Sequence, residues 1–165
     1  MGLITLRFVS SSDLVSRIIK GGQMGFGYQH VEALMPDGAL LGAHIQGGVQ
    51  ARAGGYDFGT FSHDLFVTIP CADAAQTAFE TFLTEQIGKP YDTLAIAELA
   101  DGFLTGEAPN WPASPSWICS ALQTAATITA GIIKGAPATV RLATPRDVLC
   151  MCAALVPLPA STSPT

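Results

Sequence analysis

Residues Leu3 to Val9 (LITLRFV) alternate between apolar and polar positions, the two-residue period of a strand with one buried face. Ser10-Ser11-Ser12-Asp13 then offers several helix N-cap side chains ahead of Leu14, Val15, Ile18 and Ile19, whose spacing predicts a helix ended by Gly21-Gly22. A glycine-rich loop follows, to Gly27. Residues 28 to 52 read as two strands around a turn, then a glycine bend into a third strand. His63 to Pro70 is a further strand. Ala72 to Ile87 predicts an amphipathic helix with Ala75, Phe79, Phe82 and Leu83 on one face, closed by Gly88. Pro90-Tyr91-Asp92 opens another helix that runs to about Phe103. Residues 105 to 116 are rich in Pro, Gly and Ser and read as a loop. A helix is expected from Ser116 to Ile133, and Thr144-Pro145 starts a short final one, because proline suits the first helical turn. Strands come early and helices late, so the pattern predicts an α+β fold, a small antiparallel sheet packed against helices. One domain is expected over residues 1–156, with a low-complexity tail over 157–165.

The turn between the first two strands of the 28–52 segment decides which side chains face each other. Pro36-Asp37-Gly38 fits a three-residue loop with Gly38 in the left-handed conformation. Met35 then opposes Ala39, Leu34 opposes Leu40, Glu32 opposes Gly42 and His30 opposes His44. Directly opposed side chains on one face have Cβ atoms about 4.5–5.5 Å apart. A two-residue Asp-Gly turn is the alternative. It would leave Pro36 with a ladder position it cannot fill, place Ile45 opposite His30, and make Glu32 the better partner for the ring.

Composition narrows the function. Lys and Arg total 8 against 13 Asp and Glu, a net charge of −5, and the basic residues are scattered. That argues against electrostatic binding of nucleic acid. No stretch reaches the roughly 20 apolar residues of a membrane-spanning helix. The N-terminus lacks the charged and apolar regions of a secretory signal, so synthesis in the cytoplasm is expected. The 48% share of hydrophobic residues predicts a substantial core.

The cysteines are Cys71, Cys119, Cys150 and Cys152. Their spacings match no zinc motif, so neither a metal nor another cofactor is expected, and disulfides are disfavoured without export. Cys150 and Cys152 lie in the apolar stretch Val148 to Val156 and read as small core residues, as does Cys71 at a strand end.

Cys119 differs. In Ser116-Trp117-Ile118-Cys119-Ser120-Ala121-Leu122 it falls in the first turn of a helix, where unpaired N–H groups and a partial positive charge stabilise a thiolate. The same N–H groups can donate to an oxyanion. A nucleophilic cysteine needs a base, and the chain holds His30, His44 and His63. His30 sits within the strand predicted from Tyr28 to Met35. His44, opposite it, could orient the ring; Glu32 and Gln46 are the alternatives. His63, beside Asp64, reads as a solvated edge residue.

The order of these segments is familiar. A strand comes first, then Ser10 to Asp13 opening a helix, then Gln29-His30-Val31-Glu32. Gly42-Ala43, Gly47-Gly48-Val49 and Gly88-Lys89-Pro90-Tyr91-Asp92 follow, and Trp117-Ile118-Cys119-Ser120-Ala121-Leu122 comes last. Over residues 3 to 150 this resembles the circularly permuted papain-fold hydrolases of the YiiX-like group, relatives of the NlpC-type cell-wall peptidases. In that group the histidine strand precedes the cysteine helix.

The resemblance implies Cys119 as nucleophile, His30 as base and a polar residue on the next strand as orienter. It leaves His44, Glu32 and Gln46 open for that third role. Ser120 and Tyr28 are candidates for the oxyanion site, and Tyr91 is expected to be structural. Trp111 and Trp117 could line a substrate groove or pack the loop onto the core. A thiol peptidase or amidase is implied, acting on a peptidoglycan peptide or an acyl amide. The source would be a bacteriophage or prophage, with the product virion-associated, carried on a phage tail or delivered to the periplasm. A non-catalytic binding or virion-structural module on the same fold is the competing expectation. Hydrolysis or transfer of an acyl lipid is a third.

Overall fold

The computed structural model describes residues 1–11, 25–105, 115–135, 140–141 and 143–156. The helix expected over Leu14 to Ile19, most of the 105–116 loop with Trp111, and the 157–165 tail lie outside the described residues. Five strands form one antiparallel sheet: β1 (Gly2–Ser10), β2 (His30–Leu34), β3 (Leu40–His44), β4 (Gly48–Arg52) and β5 (His63–Cys71). Their order is β4-β3-β2-β1-β5. Four helices are described: α1 (Asp73–Glu85), α2 (Thr93–Thr105), α3 (Cys119–Thr129) and α4 (Pro145–Leu155). This is the expected α+β arrangement.

Strand alternation gives the sheet two different faces. Ile4, Leu6 and Phe8 of β1, with Val31, Ala33, Leu41 and Ala43, point to the side covered by helices. Helix α3 packs on β2 and β3, α1 on β1, and α4 on β5 and α3. Fully burying side chains such as Leu6, Phe8 and Leu122 contributes about 1.5–3 kcal/mol each. On the opposite face Arg7 of β1 pairs directly with Glu32 of β2. Both are charged, and both are buried, because residues of the β4–β5 connection fold back over them: Tyr56 and Asp57 contact the pair, and Phe61 stacks on Arg7.

The β2–β3 turn takes the three-residue form. Leu34 pairs with Leu40 and Ala33 with Leu41. The Met35 N–H donates to the Ala39 carbonyl at 2.8 Å, and Gly38 has φ +83°. β2 begins at His30, so Tyr28 precedes the strand, and His30 stands at its first position, paired with Val9 of β1. Among the described residues β5 pairs only with β1 and is an edge strand, a position that tolerates Pro70.

Helix α3 starts at Cys119, three residues later than expected. Trp117 is held extended by a parallel bridge to Tyr91, and Ile118 caps the helix with ψ 158°. Helix α4 starts as expected: Thr144 and Asp147 form a reciprocal capping box around Pro145. Cys152 is buried there, and burial pushes its thiol up to about 12. Cys150 is exposed, contrary to the core reading, because two residues along a helix turn the side chain by about 200°. Cys71 is half-buried against the core. Among the described residues, no helix is long and apolar enough to cross a membrane.

Candidate active site

Helix α3 is buried on nearly every side, which its small residues Ala121, Ala125 and Ala126 permit. Gln123 ties it to the sheet by donating to the Leu41 carbonyl at 3.1 Å. This docking brings Cys119, at the first helical position, to β2. The backbone N–H groups of Val31 and Ser120 hydrogen-bond the sulfur, and the His30 side chain does so as well. Burial opposes the thiolate. The charge of His30, its hydrogen bond and the two N–H groups outweigh burial and hold the Cys119 thiol below its ordinary range. Burial likewise opposes charging of His30, yet the Cys119 thiolate and then Glu32 raise the ring from 6.5 to about 10. The two shifts run in opposite directions and share one cause: each charged partner favours the charge on the other.

Glu32 stands behind the ring. Its Oε2 lies 3.5 Å from His30 Nε2 and 3.7 Å from His44 Nε2. With Nε2 turned to Glu32, Nδ1 is the ring atom left for the sulfur. The carboxylate is fully buried and accepts from Arg7 at Oε1 (3.0 Å) and from the Tyr56 hydroxyl at Oε2 (3.2 Å). Burial would raise its pKa; His30 above all, then His44 and Arg7, keep it below the usual carboxylate range. Arg7 also reaches Asp57 and Asp64, each at 3.0 Å, and its guanidinium sits 4.8 Å over the Phe61 ring. These carboxylates keep Arg7 charged against its own burial.

Gly42 makes this arrangement possible. It lies opposite Glu32, and a Cβ at position 42 would stand 2.9 Å from Glu32 Cβ and 3.6 Å from His44 Nε2. The absent side chain leaves room for the carboxylate and the imidazole together.

His44 lies across from His30 as the three-residue turn requires, with ring centroids 4.8 Å apart. Its Nε2 faces Glu32 rather than the His30 ring. Burial first, then His30 and Arg52, lower its pKa from 6.5 to about 3, so it is neutral. Gln46 falls in the β3–β4 turn, is exposed, and has its carbonyl engaged by Arg52 and Gln50. The turn takes it off the strand face on which it was expected. Ser120 is buried and supplies its N–H to the sulfur. Tyr28 packs on Phe8, Phe26 and His63. Trp117 packs on Phe82 and donates from Nε1 to Gln86, so it anchors the loop to α1 and does not line the cleft. His63 is exposed at the start of β5.

A cleft of about 470 Å³ opens over this site, lined by His30, His44, Gln29, Tyr56 and Tyr91 among others. Cys119 itself is 4% exposed. Tyr91, expected to be structural, reaches this cleft, where burial and then the Cys119 charge push its phenol upward. Its placement traces back to Gly48. The Lys89 carbonyl occupies the point where a side chain at 48 would begin, and it accepts from the Val49 N–H at 2.9 Å. The segment Gly88 to Asp92 thus docks on β4, and Tyr91 bridges on to Trp117, two residues before Cys119. Arg7, Tyr56 and Asp57 were not singled out in the sequence. The alternation of β1 marks Arg7 as a polar residue opposite Ile4, Leu6 and Phe8, which is also the signature of any solvated strand face.

Comparison with protein-family models and with curated protein sequences found no match.

Proposed function

We propose that this protein is a cysteine hydrolase in which Cys119 is the nucleophile, His30 the general base and acid, and Glu32 the residue that orients the ring. The observation that carries the proposal is the hydrogen bond between Cys119 and His30 at the start of α3, with Glu32 on the far edge of the same ring. A nucleophile, a base in contact with it and a third group fixing the base are the working parts of acyl-transfer catalysis. The thiolate attacks a carbonyl carbon. The backbone N–H groups at the start of α3 and the Tyr91 hydroxyl are the available donors for the resulting oxyanion. Imidazolium His30 gives its proton to the leaving amine; the neutral ring then takes one from the water that releases the acyl group.

The order of strand and helix, with histidine early and cysteine late, supports a permuted papain-like fold. On that likeness the substrate is an amide, either a peptidoglycan peptide or an acyl amide, and the setting is a phage or prophage product. The test is labelling of Cys119 by iodoacetamide at pH 6, followed by incubation with peptidoglycan fragments and acyl amides. Rapid labelling that is lost in His30→Ala, and cleavage lost in Cys119→Ala, are the expected results. Slow labelling like that of an ordinary thiol would remove the basis for the proposal. The 4% exposure of Cys119 favours one competing reading, a non-catalytic module on the same fold, and the same labelling experiment separates the two.

A further inference from the structure

His30, Glu32 and His44 form a second kind of constellation, independent of the sulfur. Each offers one ligand atom, and the three atoms lie within 4.8 Å of one another. His30 Nε2 and His44 Nε2 are buried and have no hydrogen-bond partner among the described residues. Both point at Glu32 Oε2, at 3.5 and 3.7 Å, too far for good hydrogen bonds. His44 is 8% exposed. Buried nitrogens left without partners are rare and call for an explanation, an ion being one. Ligand atoms on a tetrahedral shell with bonds of about 2.0–2.2 Å stand roughly 3.3–3.5 Å apart, close to the two nitrogen-to-carboxylate spacings seen here. Charge points the same way. Even with His30 counted as a cation, it and Arg7 face three carboxylates, Glu32, Asp57 and Asp64, so negative charge is in excess. Arg52, on the cleft rim, is stacked over the Tyr56 ring and bonded to the Gln46 carbonyl.

We infer that His30 Nε2, His44 Nε2 and Glu32 Oε2 bind a divalent transition ion of the zinc class, with the fourth position open to the cleft. Two imidazoles and one carboxylate are a recurrent ligand set for such ions. The ligand set stands without the hydrolase reading; its consequence for turnover rests on that reading. A metal on Nε2 takes the place of the proton there and leaves His30 with a tightly held Nδ1 proton. The ring can then neither accept a proton from water nor readily donate one to a leaving group. Metal binding would switch the hydrolase off while leaving the thiolate in place.

The test is titration of the whole protein with Zn²⁺ by calorimetry and with Co²⁺ by visible absorption. One equivalent is expected, with cobalt d–d bands, no thiolate-to-cobalt charge-transfer band, and the same spectrum in Cys119→Ala. His44→Gln should weaken binding by at least about a hundredfold, the upper end of what an outer-shell contact gives. Absence of binding, or unchanged affinity in His44→Gln, would overturn the site. So would a charge-transfer band that disappears in Cys119→Ala, because the metal would then sit on the sulfur. If His44→Gln does not fold, the cobalt spectra of the other two proteins still decide. A further reading is Zn²⁺-inhibited turnover with iodoacetamide labelling still active. Should the protein prove to have no hydrolase activity, the titrations remain interpretable.

Discussion

The carboxylate of Glu32 lies 3.5 Å from the His30 ring although both side chains leave the same strand two residues apart. Neighbours at that spacing share a face but normally stand side by side. Here Glu32 is drawn across the sheet by Arg7 on one side and by the vacant position over Gly42 on the other. The ring is thereby held between a carboxylate and a thiol. Glu32→Gln keeps the shape and removes the charge, so turnover should fall by on the order of 10²–10⁴-fold, the range for losing effective acid–base catalysis. The comparison is kcat for both proteins on one amide substrate. An unchanged kcat would move the orienting role elsewhere.

Gly42→Ala probes the same relationship through packing. A Cβ 2.9 Å from Glu32 Cβ forces backbone or side chain to shift, at a cost of roughly 1–3 kcal/mol for an overpacked site. Urea unfolding should show that loss, and iodoacetamide labelling at pH 6 should slow because Glu32 no longer steadies His30. Normal stability with normal labelling would show that the strands absorb the methyl group freely.

Arg7 is the cation on which three carboxylates converge. Arg7→Met removes it and leaves Glu32 buried without its partner. Breaking one side of a buried pair costs about 3–5 kcal/mol. A substantially lower urea midpoint is expected. A midpoint equal to that of the wild type would mean that the carboxylates neutralise themselves by taking up protons.

The pH dependence follows from opposed shifts within one cluster, measured on metal-free protein. The folded His30 ring is raised from 6.5 to about 10, so its imidazolium stabilises the fold fully below pH 6.5 and that contribution fades as pH rises toward 10. Turnover should decline over the same alkaline limb, while alkylation of the thiolate continues. His44 is lowered from 6.5 to about 3; the unfolded chain takes up its proton first, so stability falls as pH drops from 6.5 toward 3. His44→Gln should flatten that acid-side slope in denaturation curves taken between pH 3 and 7. An unchanged slope would place the acid sensitivity on other groups.

The apolar periodicity carried most of the architecture. Strand β1, helix α1, the start of α4 and the three-residue turn before β3 were legible because each depends on local chemistry: alternation, one-sided helix faces, a proline and a left-handed glycine. The turn even placed His44 across from His30. Cys119 was visible for the same reason, since a helix start is a local event. What the sequence could not rank was Glu32 against His44 and Gln46. That choice depends on Arg7 from another strand, on the space over Gly42 and on Tyr56 folding back from a later connection, all contacts between residues far apart in the chain. The cysteine-and-histidine spacings likewise argued against a zinc motif, because the cluster of His30, Glu32 and His44 comes from two strands rather than from one short run. Position along the chain decides which groups can form an element; only burial in the assembled sheet decides which of them must share a charge.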